Sequence, residues 1–183
     1  NESEEGSDSK ILPKNYPIDI KGLTGCLSLI NLKVKNISIK ANNSSCEDTV
    51  NLINVEGSFD QINIKNSFSD GLDIDFSKVK IDSINIFSAK NDCVDLSFGD
   101  YKLNKLNATN CGDKGLSVGE KSSLELGDIF VENSIIGIAT KDSSVTKIQN
   151  AYLKNLETCV SAYKKKQEFN GSLIKIKNMN CKN

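Results

Sequence analysis

Apolar and polar residues alternate along most of this chain, and the alternation itself repeats. Leu72, Ile74 and Phe76 lie two apart; Val79 and Ile81 follow, then Ile84 and Ile86. The next stretch repeats this with Val94, Leu96 and Phe98, then Tyr101 and Leu103, then Leu106 and Ala108. A period of two predicts strands, here three short ones per repeat. Five segments align without gaps on Gly71, Cys93, Gly115, Gly137 and Cys159, each 22 residues from the next. Thr49 lies one such step earlier and Cys26 fits at a step of 23, so seven units are in near register. A unit this small buries its apolar face only by stacking on its neighbours. The prediction is an all-β domain: a single-stranded right-handed parallel β-helix of about seven turns, each of about 22 residues. At about 4.8 Å per turn the rod is roughly 34 Å long. A leucine-rich repeat, the main competitor at this period, needs L-x-x-L-x-L-x-x-N, which is absent.

A polar column follows the same period. Asn66, Ser88, Asn110, Asn133 and Asn155 come after the third strand of successive units. Stacked Asn side chains hydrogen-bond along the rod and satisfy turn backbone, so these residues read as turn formers rather than ligands. With this ladder the chain resembles the pectate-lyase-like β-helices of the pectin-lyase-like superfamily.

The repeat also bears on the six cysteines, which in isolation allow 15 pairings. Cys159 and Cys181 are one full turn apart, which places their Cα atoms near the disulfide range. Cys93 and Cys111, and Cys26 and Cys46, fall a few residues short of a turn and need a corner to meet. Three sequential disulfides are predicted, against the competing reading of buried free thiols. Disulfides imply an oxidising compartment, so the chain is expected to be secreted, periplasmic or on a cell surface. No run is long and apolar enough to be a transmembrane segment. Residues 1–10 are acidic and polar and read as a flexible tether, with residues 11–183 forming the β-helix; Lys10 to Pro17 lead into or cap the first turn. The far end, near Cys181, looks short of a cap, so oligomerisation through the helix ends is a further expectation.

Composition narrows the chemistry. The 183 residues carry 23 basic and 24 acidic side chains, and every basic one is Lys. With no His and no Arg, Ser-His and Cys-His pairs, His-bearing zinc sites and Arg clamps on phosphate are excluded within the chain. A net charge of -1 argues against a nucleic-acid partner. The sequons at Asn36, Asn42, Asn43, Asn107 and Asn170 are what chance supplies in a chain with 22 Asn. Lys164, Lys165 and Lys166 read as a solvated loop. Aromatic residues near the polar columns are few: Tyr163, Tyr101 and Phe98, the last expected to point inward.

Placed on the turns, the outward residues form charged columns. One runs Asp48, Asp70, Asp92, Lys114; a second Asn51, Asp73, Asp95, Ser117; a third Ile53, Asp75, Ser97, Gly119, Lys141, Tyr163. Carboxylates stacked about 5 Å apart repel, so one holds a raised pKa, a cation bridges them, or the face is solvated and relieved by its Lys neighbours. Calcium at Asp48, Asp70 and Asp92 is the metal reading.

The strings SDGLDI (69–74), NDCVDLS (91–97), GDKGLSVG (112–119) and GIATK (137–141) resemble the successive motifs of polygalacturonase-type glycoside hydrolases: N-T-D-G, D-D-C, G-H-G and R-I-K. The resemblance implies catalytic roles for Asp70 and Asp92, joined by Asp95 and Lys114. It also implies substrate contacts at Lys141, flanked by Asp73 and Tyr163. The departures are Asn91 for an aspartate, Lys114 for the histidine and Ala139 for the arginine. They turn the expectation toward a non-catalytic surface scaffold or recognition module contacting glycans or another surface protein. A polysaccharide hydrolase or lyase and a cation-stabilised rod stand as the alternatives.

Overall fold

The computed structural model describes residues 22–182. The expected tether and the lead-in at Lys10 to Pro17 lie outside them. Twelve strands and no helix fill the described residues. They are β1 (Gly25–Ile30), β2 (Lys33–Asn42), β3 (Asp48–Ile53), β4 (Glu56–Ser67), β5 (Asp70–Asp75), β6 (Lys78–Ala89), β7 (Val94–Ser97), β8 (Asp100–Cys111), β9 (Lys114–Gly119), β10 (Ser123–Lys141), β11 (Val145–Tyr163) and β12 (Leu173–Lys182). Every pairing is parallel and joins one turn to the next, as in Asp48↔Asp70, Leu72↔Val94 and Ile84↔Leu106. The chain is a parallel β-solenoid of about six turns, close to the seven expected.

Each turn has a short strand (β1, β3, β5, β7, β9) and a long one (β2, β4, β6, β8). The second and third strands expected from the alternation are one strand, because the ladder to the neighbouring turns skips only Asp82 between Ile81 and Ile84. In β10 and β11 the long strand runs on into the next short one.

The apolar positions face inward and stack on their counterparts. Val50, Leu72, Val94 and Leu116 form one column, Phe59, Ile81, Leu103 and Leu126 another, and Ile62, Ile84, Leu106 and Ile129 a third; all are buried. Burying each such side chain stabilises the fold by about 1.5–3 kcal/mol relative to exposure.

Two corners of the turn adopt left-handed backbone. One holds Asn43, Asn66, Ser88, Asn110, Asn133 and Asn155; the other holds Asn31, Asn54, Phe76, Phe98, Glu120 and Asp142. Asn suits this conformation because its short side chain bonds locally. The expected ladder forms: Asn66 donates to Asn43 at 2.8 Å, Asn133 to Asn110 at 2.7 Å and Asn155 to Asn133 at 2.6 Å. A further ladder, Asn107 to Asn85 to Asn63, runs along the long strands.

The three sequential disulfides are present, with Cα separations of 5.3 Å for Cys26–Cys46, 5.4 Å for Cys93–Cys111 and 6.3 Å for Cys159–Cys181. Among the described residues no helix is long and apolar enough to cross a membrane. β12, the last described strand, pairs only with β11.

Candidate functional site

The short strands carry the charged columns on their outer face, and parallel register places equivalent residues of successive turns side by side. In the first column the carboxylates bond to the backbone of the next turn. Asp70 Oδ1 accepts the Asp92 N–H at 2.8 Å and the Asn91 amide at 2.7 Å. Asp92 Oδ1 accepts the Lys114 N–H at 3.0 Å and lies 3.3 Å from Lys114 Nζ. Lys114 also pairs with Asp113. These carboxylates therefore fasten one turn to the next. Burial lifts Asp48 to about 6 and Asp92 to about 7, the latter against the pull of Lys114. Asp70 is raised by burial too, with its two hydrogen bonds opposing.

The second and third columns are less well compensated. Asn51 donates its amide to Asp73 at 2.9 Å, and Asp73 pairs in register with Asp95 and Asp95 with Ser117. Burial raises Asp73 far above the carboxylate range, and the charges of Asp75, Asp48, Asp95 and Asp70 add to it. Asp75 is raised as well, by burial and then by Asp95 and Glu120. The shift favours the protonated form of Asp73 at neutral pH, which would place a donor beside the Asp75 acceptor.

Lys141, buried at the end of β10, reaches back to Asp95 with Nζ 3.8 Å from Oδ2. Gly119 makes room for it: a Cβ there would meet Lys141 Cε at 2.8 Å. Tyr163 pairs in register with Lys141 and is half-buried.

One wall of this face comes from a local insertion. The step from β11 to β12 is 28 residues, against 22 along the Asn133–Asn155 ladder. The lengthened connection, residues 164–172, folds back over the corner column. Asp142 Oδ1 accepts the Lys165 and Lys166 N–H groups at 2.7 and 2.8 Å, and Ser172 Oγ bonds the Thr140 and Tyr163 carbonyls. Lys166, expected to be merely solvated, bonds Glu120 at 2.7 Å. Burial pushes the Glu120 carboxyl up, but hydrogen bonds from Lys166 and Ser97 win and hold it low.

The same corner carries an aromatic row. Phe76 and Phe98 stack with centroids 4.8 Å apart, and Phe169 of the insertion meets Phe98 edge-on at 6.2 Å. Phe76 is 57% exposed and Phe98 40%. The inward placement expected for Phe98 is therefore incorrect. The alternation ends with the strand at Ser97, and the left-handed residue after it turns its ring outward. Of the aromatic residues near the polar columns, Tyr101 points in; its hydroxyl lies 2.9 and 2.7 Å from the Ile74 and Ser97 carbonyls and donates to one at a time.

The fold thus brings together Asp73, Asp95, Lys141 and Tyr163 from the sequence-based candidates, and Asp48, Asp70, Asp92 and Lys114 at the neighbouring edge of the same face. Asn51, Asp75, Phe76, Glu120, Lys166 and Phe169 join them without having been singled out as site residues. Among the described residues no group of three or more His, Cys, Asp or Glu side chains has an arrangement that could hold a metal ion.

No family model, curated protein or solved structure matches this chain. The solenoid and its face are read from geometry alone.

Proposed function

We propose that the chain is an extracellular or cell-surface recognition module whose short-strand face contacts glycans without turning them over. The observation that carries this reading is the aromatic row Phe76, Phe98 and Phe169 beside the carboxyls of Asp73, Asp75 and Asp95. Sugars present apolar C–H faces and hydroxyl rims, and a row of rings next to hydrogen-bonding side chains matches both. Left-handed backbone disfavours bulky residues, and nearby turns use Asn at this corner. Two exposed Phe residues held in that conformation are a local strain of the kind found at binding sites. The three disulfides favour the oxidising address. The turn motifs favour kinship with the pectin-lyase-like superfamily, in which glycan chemistry is common. The test is calorimetric binding of the full chain to a panel of neutral, uronate and amino oligosaccharides. Binding of any class that is lost in Phe98→Ala supports the reading; no binding across the panel overturns it.

A second reading has one observation in its favour. Burial and the neighbouring carboxylates favour the protonated form of Asp73 beside Asp75, and a carboxylic acid next to a carboxylate is the equipment for glycosidic bond cleavage. Asp70, Asp92 and Lys114 would then serve as positioning groups, since their side chains bond one turn to the next. Incubation with polygalacturonate and other uronate polymers, followed by reducing-end and unsaturated-product assays, tests it. Turnover abolished by Asp73→Asn would establish catalysis, and no turnover retires it. A role as a calcium-stabilised rod predicts a higher melting temperature at millimolar calcium; an unchanged one excludes it.

A further inference from the structure

The glycan reading says nothing of ligand charge, and the short-strand face constrains it. Three lysines stand there, and each already has a carboxylate: Lys114 at Asp92 (3.3 Å), Lys141 at Asp95 (3.8 Å) and Lys166 at Glu120 (2.7 Å). Asp48, Asp70, Asp73 and Asp75 form no ion pair with a lysine among the described residues. Asp70 accepts the Asp92 N–H and the Asn91 amide and Asp48 bonds Thr24, which leaves Asp73 and Asp75, the latter with Lys166 acting on it from beyond ion-pair distance. Asn51, only 2% exposed, turns its amide onto Asp73, yet its carbonyl Oδ1 has no partner. Further along the same column Asp95 Oδ1 and the Oγ of Ser117, which is 0% exposed, are also buried and unpartnered. The column holds more acceptors than donors and more carboxyls than cations. Buried polar atoms are rarely left so, and each unsatisfied one asks for a partner. Phe76 follows Asp75 directly, its ring exposed.

We propose that this face binds an amino sugar with a free ammonium group, the ammonium seated at Asp75 and Asp73 and the pyranose ring laid against Phe76 and Phe98. The inference rests on the glycan reading and adds the ligand class to it. An ammonium supplies both the charge and the hydrogen-bond donors that the column lacks. A uronate brings a further carboxylate to a face whose lysines are already taken, so it is repelled. An N-acetylated sugar offers one amide N–H and no charge. Burial and the carboxylates crowding it both raise Asp73; an arriving ammonium offsets the second of these causes, which favours release of a proton to solvent on binding.

The experiment is isothermal titration of the full chain with glucosamine hexasaccharide and with its fully N-acetylated form, at pH 6 in two buffers of different ionisation enthalpy. The expected result is affinity for the free amine at least about tenfold higher than for the acetylated form, with proton release on binding. Asp75→Asn should bring the two affinities together, with Asp73→Asn serving the same comparison should the first variant not fold. Phe76→Asn, which installs the residue that Asn54 provides at the same corner, should weaken both ligands alike. Equal affinity for the two forms, or a preference that survives Asp75→Asn in folded protein, overturns the inference. Binding to neutral or uronate oligomers without an amine preference overturns the inference alone and leaves the glycan reading standing. No binding to any oligosaccharide overturns both.

Discussion

Two corners of the solenoid ask the same thing of the backbone and receive different side chains. At one, Asn43, Asn66, Asn110, Asn133 and Asn155 take left-handed φ, broken only by Ser88. At the other the column begins with Asn31 and Asn54 and then changes to Phe76, Phe98, Glu120 and Asp142. The first corner repeats one solution, a short amide that fits the conformation and bonds to its neighbour. The second abandons it over four turns, where the aromatic row, the Glu120–Lys166 pair and the folded-back insertion all lie. Where one residue type persists from turn to turn it is holding the rod together. Where the same backbone carries dissimilar residues, the side chains have been released from that task, and the outward face they border is the one with uncompensated carboxyls.

That contrast can be broken most forcefully at the uniform corner. Asn110→Val places a β-branched residue at positive φ and removes the acceptor that Asn133 uses. We expect a loss of about 2–3 kcal/mol, read by chemical denaturation. A loss under half of that would mean the ladder contributes little.

Next in size is a pH dependence that belongs to the short-strand face and not to the Asn ladder. Asp48, lifted to about 6, and Asp92, lifted to about 7, bind protons more tightly folded than unfolded, where the ordinary value is 3.8; Asp73 is raised in the same sense. Such groups favour the folded state fully below 3.8, and the contribution is lost as pH rises through 6 and 7. Glu120, held low, acts in the opposite sense and lends stability above its ordinary 4.5. The raised groups, Asp70 and Asp75 among them, outweigh the one lowered group, so the melting temperature should be about 5 °C higher at pH 5 than at pH 8. Asp73→Asn should flatten the slope and Asn133→Ser should leave it intact. A higher melting temperature at pH 8 would contradict this.

Phe98→Asn sharpens the comparison in the other direction. It relieves the strained backbone while losing the ring stack with Phe76. The two effects oppose, so stability should change by less than about 1 kcal/mol while glycan binding falls. A large destabilisation would make the row structural. The smallest effect is expected for Lys166→Gln. Its half-exposed ammonium pairs with the buried Glu120 carboxylate, and Gln keeps a hydrogen-bond donor there, so the loss should be about 0.5 kcal/mol, and raising the salt concentration should narrow the difference between variant and parent.

Much of the fold was legible in particular residues. Gly71, Cys93, Gly115, Gly137 and Cys159 fixed the period, and Leu72/Ile74 against Val94/Leu96 fixed the inward face, because a parallel stack repeats its burial pattern turn by turn. The Asn ladder was legible for the same reason. The site was only partly so. Asp48, Asp70 and Asp92 were seen as a column, but not that Asp70 and Asp92 accept the N–H of the following turn, since the distance from carboxylate to backbone depends on how sharply each corner bends. Phe98 was misplaced because alternation was carried one residue past the end of its strand. Lys166 looked solvated because nothing in a lysine run announces that its backbone will be pinned by Asp142, the first residue of a preceding corner.

The sequence by itself determined the repeat, the strand periodicity and the order of the charged columns. All of these follow from a fixed step along one chain. The tertiary structure alone decided which carboxyls are fastened, which are left over, and that an insertion near the last turn reaches back to Glu120 and Phe98. The physical reason is that register along the rod is a property of spacing, whereas burial, proton affinity and the return path of a loop depend on what every other turn places beside it.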